Sequence, residues 1–259
     1  MLKRTEGIVL RTFPFGEADL IVTYLTFDFG LIKLFAKSPR KIKSRFGSSL
    51  EPITRSKISF WGKEDSALPK LTQSDIVHSF QSMRDSFNCF LKILEIIELT
   101  LSFIPESDIN KKVYSLLLST LQAVENNRSS ESLKRKEQAV FTEEDLLINH
   151  YKVKFLEFVG YSPKLDACGR CGKGGYCFYL SQGSVLCEAC SRGIELPIKL
   201  SPAVLKLYEN LTTWDTRKIH RIKPSHMLLS ELSDVINMHI RYILTRPLKS
   251  EAFIHSLTR

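Results

Sequence analysis

The sequence contains no apolar segment long enough to cross a membrane. A membrane-spanning helix needs roughly 20 consecutive apolar residues. The nearest candidate, VYSLLLSTLQAV at positions 113–124, falls well short of that length. The opening stretch MLKRTEGIVLRTF also lacks the apolar core and the small-residue cleavage site of a secretory signal peptide. These absences favour a cytoplasmic protein.

The motifs of common enzyme classes are missing as well. The sequence has neither the G-x-x-x-x-G-K-[ST] loop that cradles nucleotide phosphates nor the G-x-G-x-x-G loop of dinucleotide-binding folds. It lacks the G-x-S-x-G turn of hydrolases, and no cluster of carboxylates suggests two-metal nuclease chemistry. None of the six histidines has glutamate two residues later, as in zinc deaminases. We therefore expect a protein that is not an enzyme.

Composition indicates a folded protein of more than one domain. The chain has 259 residues, of which 43% are hydrophobic and 25% charged, so it can bury a sizeable core and is not disordered as a whole. A chain of this length usually divides into two or three units.

Positive charge is concentrated near the beginning of the chain. The net charge is +9, yet residues 1–61 hold 11 Lys/Arg against 5 Asp/Glu, whereas the other 198 residues hold 26 against 23. A local basic excess attracts polyanions such as nucleic acid. The alternative is a charge that serves solubility.

The first 80 residues have the pattern of a small β-barrel. Short β-branched and aromatic runs alternate with turn segments such as FGEA and DFG. The predicted strands are GIVLRTF, DLIVTYLTF, GLIKLFAK, SKISFWGK and LPKLTQSDIV. An OB-type barrel is the commonest architecture for five short strands, and an SH3-like barrel stays open as an alternative.

Beyond residue 80 the apolar residues recur with a helical period. Residues 82–104 predict one helix, and a second is expected to begin near Ser107-Asp108. The polar segment 126–138 predicts a surface loop. Thr142 and Asp145 resemble a capping box that opens a third helix, which Gly160 can end.

Two more helices are predicted near the end of the chain, one beginning at Ser201-Pro202 and one over residues 226–244. The sequence therefore predicts an α+β multidomain protein, with an N-terminal five-stranded OB-type barrel followed by a helical domain with an inserted zinc knuckle. The predicted boundaries are 1–80 for the barrel, 81–160 with 195–259 for the helical domain, and 161–194 for the knuckle.

The knuckle is predicted from the stretch CGRCGKGGYCFYLSQGSVLCEAC at 168–190. Its two Cys-x-x-Cys pairs can surround one Zn²⁺ ion tetrahedrally. The predicted ligands are Cys168, Cys171, Cys187 and Cys190. Four thiolates would fill the coordination shell, so we expect a structural zinc and keep an iron–sulfur cluster as the alternative.

The sequence also predicts the backbone shape around the metal and the places of the two remaining cysteines. Gly169, Gly172 and Gly174 would allow the tight backbone around the metal, and a hairpin is expected to turn at Gln182-Gly183. Cys89 and Cys177 lie in apolar patterns and are expected to be small buried residues.

A basic run, KLFAKSPRKIKSR at 33–45, is the candidate nucleic-acid site. It contains no acidic residue, and a row of cations on a small barrel suits a phosphate backbone. The candidate contacts are Lys33, Lys37, Arg40, Lys41, Lys43 and Arg45. A solvated loop is the alternative interpretation of the same residues.

Aromatic residues near this run could stack on unpaired bases. Four are candidates: Phe35, Phe46, Phe60 and Trp61. For Phe35 and Phe60 we favour a place in the core.

Several stretches together resemble the RecO family of bacterial recombination mediators. They are GIVLRTFPFGEADLIVTYLTFDFGLIKLFAKSPRKIKSRFGSSLEP, GYSPKLDACGRCG with the later LCEAC, and the closing RPLKS. The resemblance covers the barrel, the knuckle and the C-terminal end. It implies an OB-fold, a helical domain and a zinc knuckle, with DNA contacts at Lys37, Arg40, Lys41 and their neighbours.

In function, the resemblance implies a DNA repair protein without enzymatic activity. Such a protein binds single- and double-stranded DNA and anneals complementary strands. It works with RecR and the tail of single-stranded DNA-binding protein (SSB) to load RecA, in the cytoplasm at the nucleoid. An RNA-binding accessory protein is the alternative, and a hidden zinc hydrolase is a third possibility.

Overall fold

The computed structural model describes most of the chain and divides it into two compact units. The first unit comprises Met1–Phe87 and Phe103–Leu118, and the second comprises Asn88–Ser102 and Ser119–Arg259. The described residues are 1–40, 45–62, 68–131, 143–194 and 196–250. The domain boundaries expected from the sequence remain a prediction.

The first unit is built on a closed five-stranded barrel. Its strands are β1 (Leu2–Phe15), β2 (Asp19–Thr26), β3 (Gly30–Ala36), β4 (Arg55–Trp61) and β5 (Lys70–His78). They follow the order β1-β2-β3-β5-β4, and β4 pairs with β1 to close the ring. All pairs are antiparallel except β3 with β5. The predicted OB-type barrel is confirmed.

Alternate residues of each strand fill the interior of the barrel, because successive side chains of a strand point to opposite faces. Phe46 and Phe60 are both buried there, as expected for Phe60. The prediction for Phe35 is wrong. Its neighbours Leu34 and Ala36 face the interior, so Phe35 is half-buried on the outer face. The core residues are Val9, Val22, Tyr24, Leu34, Ala36, Phe46, Leu50, Ile58, Phe60 and Leu71.

The turn between β2 and β3 requires glycine. Gly30 has a φ of +65°, which side-chain-bearing residues rarely adopt. A Cβ at this position would also collide with the carbonyl oxygen of Asp108. Segment 103–118 therefore packs closely against this turn within the first unit, where the Ser107 N–H also donates to the Leu31 carbonyl at 2.8 Å.

The helices are α1 (Gln81–Arg84), α2 (Phe87–Phe103), α3 (Lys111–Glu131), α4 (Glu143–Phe158), α5 (Pro202–Thr213) and α6 (His226–Leu244). Among the described residues no helix is both long and apolar enough to cross a membrane.

Most of the helix ends that were compared lie where the sequence predicts them. The segment 226–244 is helical, as predicted. The Ser201 hydroxyl accepts a hydrogen bond from the Val204 N–H at 3.2 Å, and Gly160 has a φ of +80° just after α4. The second helix begins at Lys111 rather than near Ser107, because the Asn110 side chain caps the Val113 N–H at 3.1 Å.

The polar segment that follows α3 was predicted as a loop from residue 126. That prediction is wrong for its first part, because α3 continues to Glu131. The rest of the predicted loop, to residue 138, and the capping residue Thr142 lie outside the described residues. Arg128 in this extension donates to Glu144 of α4 at 2.9 Å, a contact between distant residues that the local polarity could not reveal. The Asn and Ser residues around it are only moderate helix formers.

Helix α4 is the centre of the second unit and is buried on nearly all sides. Its polar side chains therefore need partners. Lys152 donates to Glu95 at 2.6 Å and to Asn237 at 2.9 Å, and the Tyr151 hydroxyl shares a 2.7 Å hydrogen bond with Thr100. These contacts connect α4 to α2 and α6.

The buried His150 of α4 gives the second unit a dependence on pH. Its Nε2–H donates to the Trp214 carbonyl oxygen at 3.1 Å, since a carbonyl can only accept. Its Nδ1 is buried without a hydrogen-bond partner among the described residues. Burial lowers the pKa of His150 from 6.5 to about 4, so the folded protein holds this ring neutral.

We expect acid to destabilise the protein through His150. The unfolded state takes up this proton near pH 6.5 and the folded state only near pH 4, so the stabilisation is complete above pH 6.5 and is lost as pH falls towards 4. Between pH 7 and pH 5 the loss should be about 2 kcal/mol. Urea unfolding at both pH values would measure it.

The matched variant is His150→Gln, which keeps an N–H donor but does not titrate. It should lose less stability than the native chain over the same interval. An equal loss in the two proteins would contradict the assignment. The pKa of the buried His239 is lowered in the same direction, so some acid sensitivity will remain in the variant.

Candidate nucleic-acid interface and metal centre

The cysteine-rich segment forms a small three-stranded sheet. Strands β6 (Cys177–Tyr179), β7 (Ser184–Leu186) and β8 (Ile198–Lys199) lie in the order β7-β6-β8. The predicted hairpin is confirmed: a single 3₁₀ turn ends at Gln182, and Gly183 follows it with a φ of +57°. The hairpin brings the two Cys-x-x-Cys pairs to one end of the sheet.

The four predicted ligand cysteines come together. The sulfurs of Cys168, Cys171, Cys187 and Cys190 all lie within 4.8 Å of one another. Cys171 Sγ and Cys187 Sγ are 3.6 Å apart. A tetrahedral zinc with 2.3 Å bonds separates its sulfurs by about 3.8 Å. The donor set and its spacing fit one tetrahedral metal ion.

The backbone around the cysteines is shaped for this arrangement. Gly172 has a φ of +75°, and a Cβ at Gly169 would collide with the side chain of Ser184. Gly174 is different, since a Cβ there would meet open space. Its predicted role in a tight backbone is not required.

Backbone N–H groups favour the thiolate form of two of the four ligands. The N–H of Cys187 lowers the pKa of the Cys168 thiol to about 6, and the N–H of Cys190 lowers the pKa of the Cys187 thiol. Thiolate is the form that binds metal. The backbone therefore favours thiolate at Cys168 and Cys187, whereas the contact with Cys187 raises the pKa of the Cys190 thiol to about 12.

The two remaining cysteines lie outside this four-sulfur cluster. Cys89 is buried in α2, as predicted, and burial raises the pKa of its thiol to about 11. Cys177 is half-buried and packs against the apolar cluster formed by Cys168, Tyr179 and Leu186. Cys89 is therefore not a reactive thiolate at neutral pH.

The basic run begins on β3 and continues past its end. Lys33 is exposed on β3 but forms an ion pair with Glu106, which reduces its availability to a ligand. Lys37 and Arg40 follow the strand, are exposed, and have no ion pair with the described residues. Arg45 lies over the ring of Phe46, 4.9 Å from its centroid.

The two other predicted contacts, Lys41 and Lys43, fall in segment 41–44, which lies outside the described residues. The described part of the loop is fixed to the barrel. The N–H of Ser38 donates to Asp19 Oδ1 at 2.6 Å, and the N–H of Arg40 donates to the Ala18 carbonyl at 3.3 Å. Lys37 and Arg40 are therefore held beside the β1–β2 turn.

A second group of cations was missed from the sequence. It lies in the second unit on the 3₁₀ turn Thr216–Arg221. A 3₁₀ helix has three residues per turn, and Thr216 and Ile219 are buried at that spacing. The four residues between and after them are exposed: Arg217, Lys218, His220 and Arg221. We call these residues the basic turn. The sequence TRKIHR carried a signal for this arrangement, because its two buried residues are three positions apart and basic residues fill the other positions.

Comparison with known proteins agrees with these observations. The family model described as Recombination protein O N terminal matches residues 1–80, and Recombination protein O C terminal matches residues 93–252. A DNA repair protein RecO from Thermodesulfovibrio yellowstonii is 42% identical over 93% of this chain and 92% of its own length. A DNA repair protein RecO from Dehalococcoides mccartyi is 31% identical over 99% of this chain and 96% of its own length.

The two family models together cover both units, and the relatives align over nearly their whole length. Barrel, helices and four-cysteine cluster agree with the resemblance seen in the sequence. The chain belongs to the RecO family of DNA repair proteins.

Proposed function

We propose that the protein is a non-enzymatic recombination mediator that binds single- and double-stranded DNA on its barrel and anneals complementary strands. The observation that carries the proposal is the pair of exposed cations, Lys37 and Arg40, fixed to the barrel by backbone hydrogen bonds. Family membership supports a role in DNA repair.

The proposed mechanism is electrostatic. Each phosphate that a lysine or arginine neutralises releases a counterion and weakens the repulsion between two strands, so complementary bases can approach. No recognition helix with a base-reading pattern was found in the sequence, and we therefore propose binding without sequence preference.

Annealing requires that a second strand be held as well. The basic turn supplies exposed cations on the other unit of the protein, and Arg217, Lys218 and Arg221 have no ion pair with the described residues. We propose that it holds the phosphates of the second strand.

The partners follow from the resemblance to the RecO family. We propose RecR and the C-terminal tail of SSB as direct partners, and RecA, acting in the cytoplasm at the nucleoid, as the recombinase that is loaded. An RNA-binding accessory function is the alternative, since OB barrels also bind RNA. A preference for structured RNA over single-stranded DNA would favour that alternative.

We propose that the four-cysteine cluster holds one structural Zn²⁺ ion. Four thiolates complete a tetrahedral shell and leave no position for a catalytic water. The ion would join the two ends of the β6–β7 hairpin, and the cysteines would hold the knuckle in shape rather than take part in a reaction.

The barrel site can be tested with the charge-reversed variant Lys37→Glu/Arg40→Glu/Arg45→Glu. Binding of single-stranded DNA should weaken. The slope of log affinity against log salt should fall by up to about 2, because each phosphate that is no longer neutralised lowers it by ~0.7. The control is Arg192→Glu/Lys199→Glu/Arg246→Glu. It changes the net charge by the same amount, but at exposed positions scattered outside the barrel. Equal slopes for the native chain and the barrel variant would place the DNA site elsewhere.

The second-strand site can be tested with Arg217→Glu/Lys218→Glu/Arg221→Glu. This variant should still bind one strand on the barrel, but it should anneal complementary strands roughly tenfold more slowly because it cannot neutralise the phosphates of the second strand. A fluorescence annealing assay would measure the rate, with the scattered-charge variant as the control. Annealing at the native rate would rule out the basic turn.

The metal can be tested by measuring its content and then replacing a ligand. We expect one zinc ion per chain, and Cys187→Ser should lose it and unfold the knuckle, because binding and folding are coupled at such sites. Cys89→Ser is the matched control and should keep the metal. A Cys187→Ser variant that keeps its fold while losing a hydrolytic activity of the native chain would instead indicate a catalytic zinc.

A further inference from the structure

One row of residues runs across all five strands on the outer face of the barrel. Phe13 on β1 pairs with Ile21 on β2, which pairs with Phe35 on β3. Phe35 pairs with Lys70 on β5, and Lys70 pairs with Trp61 on β4. Four interstrand spacings of about 4.8 Å make this row roughly 19 Å long. Three of its five members are aromatic.

Two of these three aromatic side chains are exposed, and Phe35 is half-buried. Phe13 is 42% exposed, and Trp61 is 55% exposed. Phe15, two residues beyond Phe13 on the same face, is 51% exposed and packs edge-on against Phe35 with ring centroids 5.8 Å apart. We call Phe13, Phe15, Phe35 and Trp61 the aromatic belt. An exposed apolar surface of this kind marks an interaction site.

Cations lie beside the belt. The Arg11 guanidinium lies 3.9 Å from the centroid of the Phe13 ring, and Lys70 stands between Phe35 and Trp61 in the row. Phe15 pairs with Asp19, the residue whose carboxylate accepts the Ser38 N–H. The loop that carries Lys37 and Arg40 is therefore attached beside the belt.

We infer that the aromatic belt stacks on unpaired bases of a single DNA strand while the adjacent cations hold its phosphates. The inference rests on the proposed function, because it assigns the base contacts of the same barrel site. Flat apolar rings with cations beside them match a chain of bases and phosphates, whereas a purely apolar partner would leave the cations without counter-charges.

The belt would give the barrel site a preference for single strands. Bases inside a duplex are stacked on each other and cannot present their faces to a protein ring. Phenylalanine has no hydrogen-bonding group, so stacking leaves the pairing edges of the bases free for a complementary strand. Such a surface tolerates any sequence, because every base has a π-face.

The test is the variant Phe13→Ala/Phe15→Ala/Trp61→Ala, measured with three DNA probes. The probes are an ordinary single strand, a strand of equal length with abasic residues, and a duplex. Affinity for the ordinary strand should fall about tenfold or more, as base–aromatic stacking predicts. Affinity for the abasic strand and the duplex should not change, and the salt slope should stay the same because the cations remain.

Two further proteins control for damage to the fold. Phe13→Tyr/Phe15→Tyr/Trp61→Phe keeps the rings and should bind like the native chain. Phe87→Ala removes an aromatic side chain that is 59% exposed and lies outside the barrel strands, and it should have no effect. Native thermal unfolding of the alanine variant would show that the barrel is intact.

Other outcomes would overturn the inference. An unchanged affinity for the ordinary strand, or an equal loss on ordinary and abasic strands, would show that the belt does not stack on bases. Unchanged DNA binding together with a changed oligomeric state would assign the belt to a contact between copies of the chain. If the native chain bound none of the probes, the proposed function itself would fail.

Discussion

Closure of the barrel is the constraint on which the candidate site depends. A closed ring of five strands has room inside for one set of alternating side chains, and the other set must point outward. Val22, Leu34 and Leu71 occupy the interior. The residues that flank them on the same strands must therefore point outward, whatever their polarity, and they are exposed wherever no other segment covers them. Cations and aromatic rings on the outside are both consequences of this one packing rule.

The second unit is organised by a different requirement. Helix α4 is enclosed on nearly all sides, so each polar side chain along it must find a partner within the protein. Its lysine, tyrosine and histidine form contacts with segments distant in the chain. These contacts specify which surfaces of the neighbouring helices face α4, and apolar packing alone would do so less precisely.

Much of the architecture could be predicted from the sequence because it depends on local patterns. The strand runs, the Cys-x-x-Cys pairs, the Ser201 cap and the last long helix each depend on residues close together in the chain. Period-two and period-3.6 patterns carry that information directly. The cysteine cluster needed only the further assumption that two pairs with matching chemistry would meet.

The rest depended on register between distant strands, which no local pattern contains. Phe35 was expected in the core because it is apolar, yet its neighbours took the inward positions. The row from Phe13 to Trp61 exists only through four successive strand pairings. The ion pair of Lys33 joins residues 73 positions apart, so it could not be read from the basic run itself.

The ion pair between Lys33 and Glu106 also bears on how the protein would release DNA. Glu106 is a tethered anion beside a cation of the proposed interface, so a phosphate reaching Lys33 must displace it. A built-in competitor of this kind weakens the hold on DNA and shortens its residence time. If the strand is passed to a recombinase, as proposed above, rapid release is as useful as capture. The carboxylate would thus affect the rate at which DNA is released. It would affect the stability of the fold little, because a surface ion pair contributes little to stability.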